Sequence, residues 1–305
     1  MVKTIWAHHD ADGITSAYMT KFGYPDAEVR IVEKFGDTSE WKKGDIMVDM
    51  RPDNPEIEGL VIDHHPGHPP LGIRKYELIF DHKPASLVCF EHFKDKIPKE
   101  EWWKVAVGVV GDGQPEKLTY EVWESCVPLM KNYSTYVSKY KMDWSYGAYP
   151  VYQSLSSPIN AFCRVGKYNQ ALEIMKQVQT PMELIKHPAV KKQKKDNNTM
   201  FRGIMSDAEV FELPNLRIIV YSSKNMRVSG WVASVLGGSR DGITNIAINE
   251  ENGSISVRGD LANYFKGLCK AHNLDYITFD GHDGFMGGKI NGSAVKFYYD
   301  LMEIL

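Results

Sequence analysis

Along the first 65 residues, short apolar runs alternate with small polar clusters. "VKTIW" (2–6), "DIMV" (45–48) and "GLVI" (59–62) read as strands. The first leads into His8, His9, Asp10 and Asp12, the second into Asp49, and the third into Asp63, His64 and His65. Between the first two lies "GITSAYMTKFG" (13–23), where Ile14, Ala17, Tyr18 and Phe22 recur at helical spacing and Gly23 suits a C-cap. Strand, helix, strand is the rhythm of a buried parallel sheet. Ligands in such sheets bind beyond the carboxyl ends of the strands. All three polar clusters fall there.

Further on, "EEWWKVAVGVVGD" (100–112) is long enough to favour a helix and ends on Asp112. Residues 131–188 alternate helical patterns with tyrosine-rich segments and offer little chemistry. The charged stretch "KKQKKDNN" (191–198) suits an inter-domain helix or linker. A second α/β unit follows. "LRIIVYSS" and "TNIAINEENGSISVRG" read as strands, the latter a hairpin turning near Asn252-Gly253. "GWVASVLGG" and "LANYFKGLCKAHN" read as helices. The expected layout is α/β throughout, with a parallel-sheet domain and helical extension over 1–188, a linker over 189–205 and a smaller α/β domain over 206–305.

Mixed carboxylates and imidazoles suit Mn²⁺ and ions of similar hardness. A calcium loop starting at Asp10 fails, because its sixth and twelfth positions hold Thr15 and Lys21 instead of Gly and Glu. Taken singly, Asp10 or Asp12 could be a helix N-cap, Asp49 a loop residue and "DHH" a surface turn. Three such clusters, each after a strand, favour a metal site. His8, Asp10, Asp12, Asp49, His64 and Asp112 are too many ligands for one ion and about right for two that share a carboxylate. Paired ions activate water and stabilise the oxygens of a phosphoryl transfer.

Composition narrows the picture. The 305 residues are 43% hydrophobic and 25% charged, as in ordinary globular domains, and the net charge of −3 gives no basic field for long nucleic acid. No apolar run approaches the roughly 18 residues that span a bilayer, and the N-terminus lacks signal-peptide order. The four scattered cysteines show no CxxC spacing and read as reduced core residues of a cytoplasmic protein.

"HHDADG" fits an H-x-D-x-D-G pattern, and "VIDHHPGH" (61–68) carries an Asp-His-His triplet. With Asp49 between them and "VVGD" (109–112) after them, the first 115 residues or so resemble the DHH phosphoesterase superfamily. The last hundred resemble its companion DHHA1 domain through "GWVASVL", "ISVRG" and "GHDGFMGG". The resemblance implies two Mn²⁺ ions, with Mg²⁺ or Co²⁺ as substitutes, in a cleft between the two domains. His8, Asp10 and Asp49 would hold one ion; Asp12, Asp49, His64 and Asp112 would hold the other. His65 would touch the scissile phosphate, as hydrogen-bond donor or as acid to the leaving oxygen, while Asp63 orients a neighbouring histidine. Arg258 and His282 would bind a terminal phosphate or the base and sugar, and Gly281, Gly287 and Gly288 would admit close backbone approach. Asp280-Gly281-His282 stands where two or three glycines usually precede the histidine, which bears on pocket shape. His9 occupies a variable position, and His68 and His82 read as solvated loop histidines.

The length matches the compact nanoRNase and 3′-phosphoadenosine-5′-phosphate phosphatase branch of this RecJ-like group. The expected function is Mn²⁺-dependent hydrolysis of short single-stranded RNA or DNA to nucleoside monophosphates. A RecJ-like exonuclease acting on longer strands with a repair or replication partner, a cyclic-dinucleotide phosphodiesterase and a non-catalytic scaffold are the alternatives. The H-x-D-x-D spacing sets a manganese pyrophosphatase aside. A homodimer is a possible assembly, and no membrane partner is expected.

Overall fold

The computed structural model describes residues 2–126, 149–224, 226–235, 242–272, 274, 277–282 and 285–304. Two compact units divide between Lys194 and Lys195. In the first, β1 (Thr4–His8), β2 (Glu28–Val32), β3 (Asp45–Val48), β4 (Gly59–Asp63) and β5 (Glu77–Phe80) form a sheet of order β2-β1-β3-β4-β5. Every pairing is parallel. Strand order places β1, β3 and β4 side by side, so their carboxyl ends open on one crevice.

Both faces of this sheet are buried, which is why its strands read as continuous apolar runs. Ile5, Ala7, Ile46, Val48 and Ile62 face a core shared with α1 (Ala11–Gly23), α2 (Ala85–Phe93) and α3 (Val105–Gly111). Trp6, Met47 and Val61 alternate to the other face, where Met50, Ile57 and Tyr76 cover them. Only the β1–β2 connection is a helix; residues 33–44, 49–58 and 64–76 cross without one among the described elements. Those three irregular segments bring loop side chains to the crevice.

The helix expected over 13–23 starts two residues earlier, because Asp10 rather than a later residue supplies the N-cap: its Oδ1 accepts from the Gly13 N–H at 2.9 Å. The 100–112 stretch is a 3₁₀ segment over Lys99–Lys104 that runs into α3, with Asp112 at the C-cap. Helices α4 (Tyr120–Cys126), α5 (Tyr149–Cys163), α6 (Tyr168–Gln177) and α7 (Pro181–Lys186) follow, and α8 (Pro188–Ser206) runs unbroken through the charged 191–198 stretch. Part of the tyrosine-rich middle, residues 127–148, lies outside the described residues.

The second unit holds a mixed sheet of order β10-β11-β9-β8-β7-β6, built from β6 (Glu209–Leu213), β7 (Leu216–Tyr221), β8 (Thr244–Asn249), β9 (Ser254–Arg258), β10 (Ile277–His282) and β11 (Phe285–Ile290). Strands β7 and β8 are parallel and the other pairs antiparallel. Helices α9 (Ser229–Val235), α10 (Ala262–Ala271) and α11 (Ala294–Ile304) complete it. Ile218, Ile246, Ile248 and Val257 pack with Phe265, Phe297 and Leu301 in its core. The hairpin turns at Asn252-Gly253, as its sequence indicates, with Gly253 at φ +70°. Cys89, Cys126, Cys163 and Cys269 are all free and buried. Among the described residues, no helix is long and apolar enough to cross a membrane.

Candidate metal centre

His8 is the last residue of β1, Asp49 follows β3, and Asp63 ends β4 with His64 and His65 beyond it. Adjacent parallel strands therefore deliver all five side chains to one crevice. Gly13 lets α1 begin hard against β1, since a Cβ there would lie 2.3 Å from the His8 carbonyl oxygen. Asp49 is, among the described residues, the sole non-glycine with positive φ, at +59°. Its N–H donates to the Ile62 carbonyl at 2.9 Å, so β4 holds the left-handed turn in place. Backbone strain of this kind costs about 1–3 kcal/mol and persists where the surroundings over-determine it.

Asp49 stands between two groups of ligand atoms. Its Oδ2 lies 3.5 Å from His8 Nδ1, and its Oδ1 lies 3.3 Å from His64 Nε2. His8 Nδ1 is also 2.9 Å from Asp10 Oδ2, close but without hydrogen-bond alignment. Both Asp49 oxygens, His8 Nδ1 and His64 Nε2 are buried and make no hydrogen bond. Four such atoms converging as electron-pair donors fit a cation-binding role. The atoms of His8, Asp10 and Asp49 lie within 4.8 Å of one another, as do those of Asp49, Asp63, His64 and His65, and Asp49 belongs to both groups.

Asp12 and Asp112 occupy the flanks. Asp12 is buried, with Oδ2 accepting from the Ala85 N–H (2.7 Å) and Oδ1 from the Ser86 N–H (3.1 Å) and the Ser86 hydroxyl, so this carboxylate caps the start of α2. Asp112 Oδ2 lies 3.9 Å from His64 Nδ1 and accepts from Gln114 Nε2 at 2.5 Å. Neither belongs to the two groups of mutually close ligand atoms, although both carboxylates bear on His64 electrostatically.

The charges are mutually dependent. Burial acts to lower the His64 pKa, but the Asp49 carboxylate, with Asp12 and Asp112, outweighs it and raises the value to about 10. Burial, reinforced by Asp49, raises Asp112 to about 7. Burial and the neighbouring Asp49 and Asp112 charges raise Asp12 as well. For His8, burial acts downward but Asp10 and Asp49 raise the pKa overall. Protons therefore hold ligand positions in the metal-free protein, and a cation must displace them. A divalent cation held by these groups would release protons, with affinity rising about tenfold per pH unit for each proton displaced. Asp112 competes mainly below pH 7 and His64 across the whole neutral range, so affinity falls as pH falls. Calorimetry in buffers of different ionisation enthalpy checks this; a buffer-independent heat would contradict it.

Asp63 directs both oxygens to a second set of partners. Its Oδ1 accepts from the His64 N–H and from His65 Nδ1, both at 2.8 Å, and its Oδ2 accepts from His68 Nε2 at 2.9 Å. His68, expected to be solvated, is instead buried, its Nδ1 2.9 Å from the Tyr76 hydroxyl. Its place in a loop pointed outward, but the contacts to Asp63 and Tyr76 hold the ring inside. His82 is exposed. His9 donates to the Val32 carbonyl at 3.1 Å. Phe35, Arg51 and Ser86 went unnoticed in the sequence: Phe35 packs edge-on against His8 and His65 (centroids 5.5 and 4.9 Å), and Arg51 donates to the Pro66 carbonyl at 2.5 Å, tying the Asp49 loop to the histidine loop.

In the second unit, Arg258 ends β9, and its Nη1 donates to the carbonyls of Val257 and Met286, each at 2.9 Å. Strand register sets Arg258 opposite Phe285 and Phe285 opposite His282, one row across three strands. Gly281 pairs with Met286, Gly287 with Asp280 and Gly288 with Phe279. Asp283 and Gly284, part of the glycine-rich motif, lie outside the described residues.

No family profile and no curated protein matches the sequence. Solved structures do. RecJ from Thermus thermophilus in complex with Mn²⁺ matches with a TM-score of 0.67 at 17% identity, over 99% of this chain and 51% of that one. This chain thus spans about half the length of that protein. An exonuclease RecJ bound to manganese matches with a TM-score of 0.63 at 17% identity, over 99% and 88%. The pGpG-specific phosphodiesterase PggH from Vibrio cholerae matches with a TM-score of 0.52 at 16% identity, over 99% and 97%. What the chain shares with these structures is the fold, a parallel-sheet unit followed by a mixed-sheet unit.

Proposed function

We propose that this chain is a divalent-metal-dependent phosphodiesterase that hydrolyses short single-stranded RNA or DNA to nucleoside monophosphates, with Mn²⁺ as its natural ion. The observation that carries the reading is the position of Asp49, one oxygen 3.5 Å from His8 Nδ1 and the other 3.3 Å from His64 Nε2. His8, Asp10 and Asp49 would hold one ion; Asp49 and His64, with Asp12 and Asp112 bearing on them, would hold the second. When bound, paired ions supply Lewis acidity at the phosphoryl oxygens and lower the pKa of water.

The protein's own groups do the rest. His65 is 24% exposed, and its Nδ1 is committed to Asp63, which leaves Nε2 to serve the substrate. Burial acts to lower its pKa, but the hydrogen bond to Asp63 and the Asp49 charge raise it overall, which favours the proton-donor form that a leaving oxygen needs. Arg258 and His282 would grip a terminal phosphate or the base and sugar, with Gly281, Gly287 and Gly288 giving the substrate room. The domain division intended by this reading gives chemistry to the first unit and substrate contacts to the second.

A short substrate is favoured by the net charge of −3, since long polymers are held by basic surfaces. The likeness to a pGpG-specific phosphodiesterase, over nearly all of both chains, supports the same choice. Four free buried cysteines suit a reducing, cytoplasmic setting. Turnover of labelled two- to five-nucleotide oligomers is expected to exceed that of long single strands with Mn²⁺, in kcat/KM. Faster turnover of long strands would favour an exonuclease working with a repair or replication partner.

A further inference from the structure

Asp63 is fully buried at the end of β4, where the chain passes into an irregular loop. The terminal torsion of an aspartate is broad, so one hydrogen bond leaves its carboxylate plane free to swing. Here both oxygens are claimed from different directions: Oδ1 by the His64 N–H and His65 Nδ1, and Oδ2 by His68 Nε2. The His68 side chain is 5% exposed, and its second nitrogen meets the Tyr76 hydroxyl at 2.9 Å. A hydroxyl donating to Nδ1 keeps the proton on Nε2, the form that can donate to Asp63. Tyr76, 2% exposed, is set among Trp6, Met47, Met50 and Val61 on the sheet face opposite the helices, with the Arg74 guanidinium 5.6 Å from its ring.

We propose that Tyr76 and His68 are positioning residues, a chain of hydrogen bonds that reaches from the sheet's core through Asp63 and fixes the His65 ring toward the phosphoester. The inference rests on the phosphoesterase reading for its kinetic consequence, but the ordering of His65 does not depend on it. Neither residue belongs to the groups of mutually close ligand atoms. Their effect passes through a carboxylate whose two oxygens both already accept hydrogen bonds, which suits Asp63 to an orienting role. Such supporting partners typically change activity by about 10–100-fold when removed. An imidazole two residues past the end of β4, in irregular chain, gains from that support because no helix or strand holds it.

The test uses the full chain with His68→Ala, His68→Gln and Tyr76→Phe. In the metal-free protein, the His65 Nδ1–H proton, seen by ¹H–¹⁵N spectroscopy, is expected to exchange with water about tenfold faster or more in His68→Ala. Tyr76→Phe should show a smaller acceleration. With Mn²⁺, kcat should fall about 10–100-fold in His68→Ala while KM and Mn²⁺ affinity stay near wild type, and His68→Gln, whose amide still donates to Asp63, should recover most of the rate. Unchanged exchange in both His68→Ala and Tyr76→Phe would overturn the proposal. So would a joint loss of thermal stability and Mn²⁺ affinity with no separate effect on kcat. If the wild-type protein hydrolyses no oligonucleotide at all, the phosphoesterase reading falls, and the exchange rates alone decide the positioning chain.

Discussion

Replacing Asp49 with asparagine is expected to lower kcat by about 10³-fold or more, the rate equivalent of roughly 4 kcal/mol of lost charge stabilisation. Asparagine is the informative choice because position 49 sits at φ +59°, where asparagine is tolerated and alanine is strained. The neutral amide keeps the turn but cannot offer two anionic oxygens to two ions. Asp49 also raises the pKa values of both Asp12 and Asp112. Removing its charge relieves that repulsion but also weakens the pairing with His8 and His64, so the melting temperature of the metal-free variant should change little. Thermal melts and steady-state kinetics together check the prediction. Hydrolysis near the wild-type rate would contradict it, and a collapsed melting temperature would show that Asp49 serves the fold first.

The second large effect belongs to His65. In His65→Asn the amide can still donate to Asp63 in the manner of Nδ1, while the Nε2 position is empty. The expected loss is about 10²–10⁴-fold in kcat, the range for removing a general acid, with Mn²⁺ affinity retained. The loss should shrink sharply on a p-nitrophenyl phosphodiester, whose leaving oxygen needs no proton. An equal loss on both substrates would assign His65 to binding rather than to proton transfer.

The legible parts of this molecule were those governed by short-range pattern. Apolar runs of four or five residues mark buried parallel strands, and the change from alternation to helical spacing after His8 marks α1. Because side chains at parallel strand ends follow their strands directly in sequence, His8, Asp49, Asp63, His64 and His65 stand out in the sequence without knowledge that their strands are neighbours. Long-range contacts were not legible. Asp12 looks like a first-turn acid or a ligand, and its bonds to Ala85 and Ser86 span more than seventy positions. His68 looks solvated because its neighbours are prolines and a glycine, and only the return of the chain to Tyr76 buries it. Phe35 sits in a loop whose composition gives no hint of two imidazoles nearby. The left-handed backbone at Asp49 depends on a hydrogen bond to a strand that comes later in the chain.

The proposed chemistry depends on the capacity of the crevice for two cations. Titration calorimetry of the metal-free protein with Mn²⁺, run beside the Asp49→Asn variant, tests it most directly. Two ions per chain in the wild type, reduced to one or none in the variant, is the expected result. No uptake by the wild type, or identical stoichiometry in both proteins, would contradict the account.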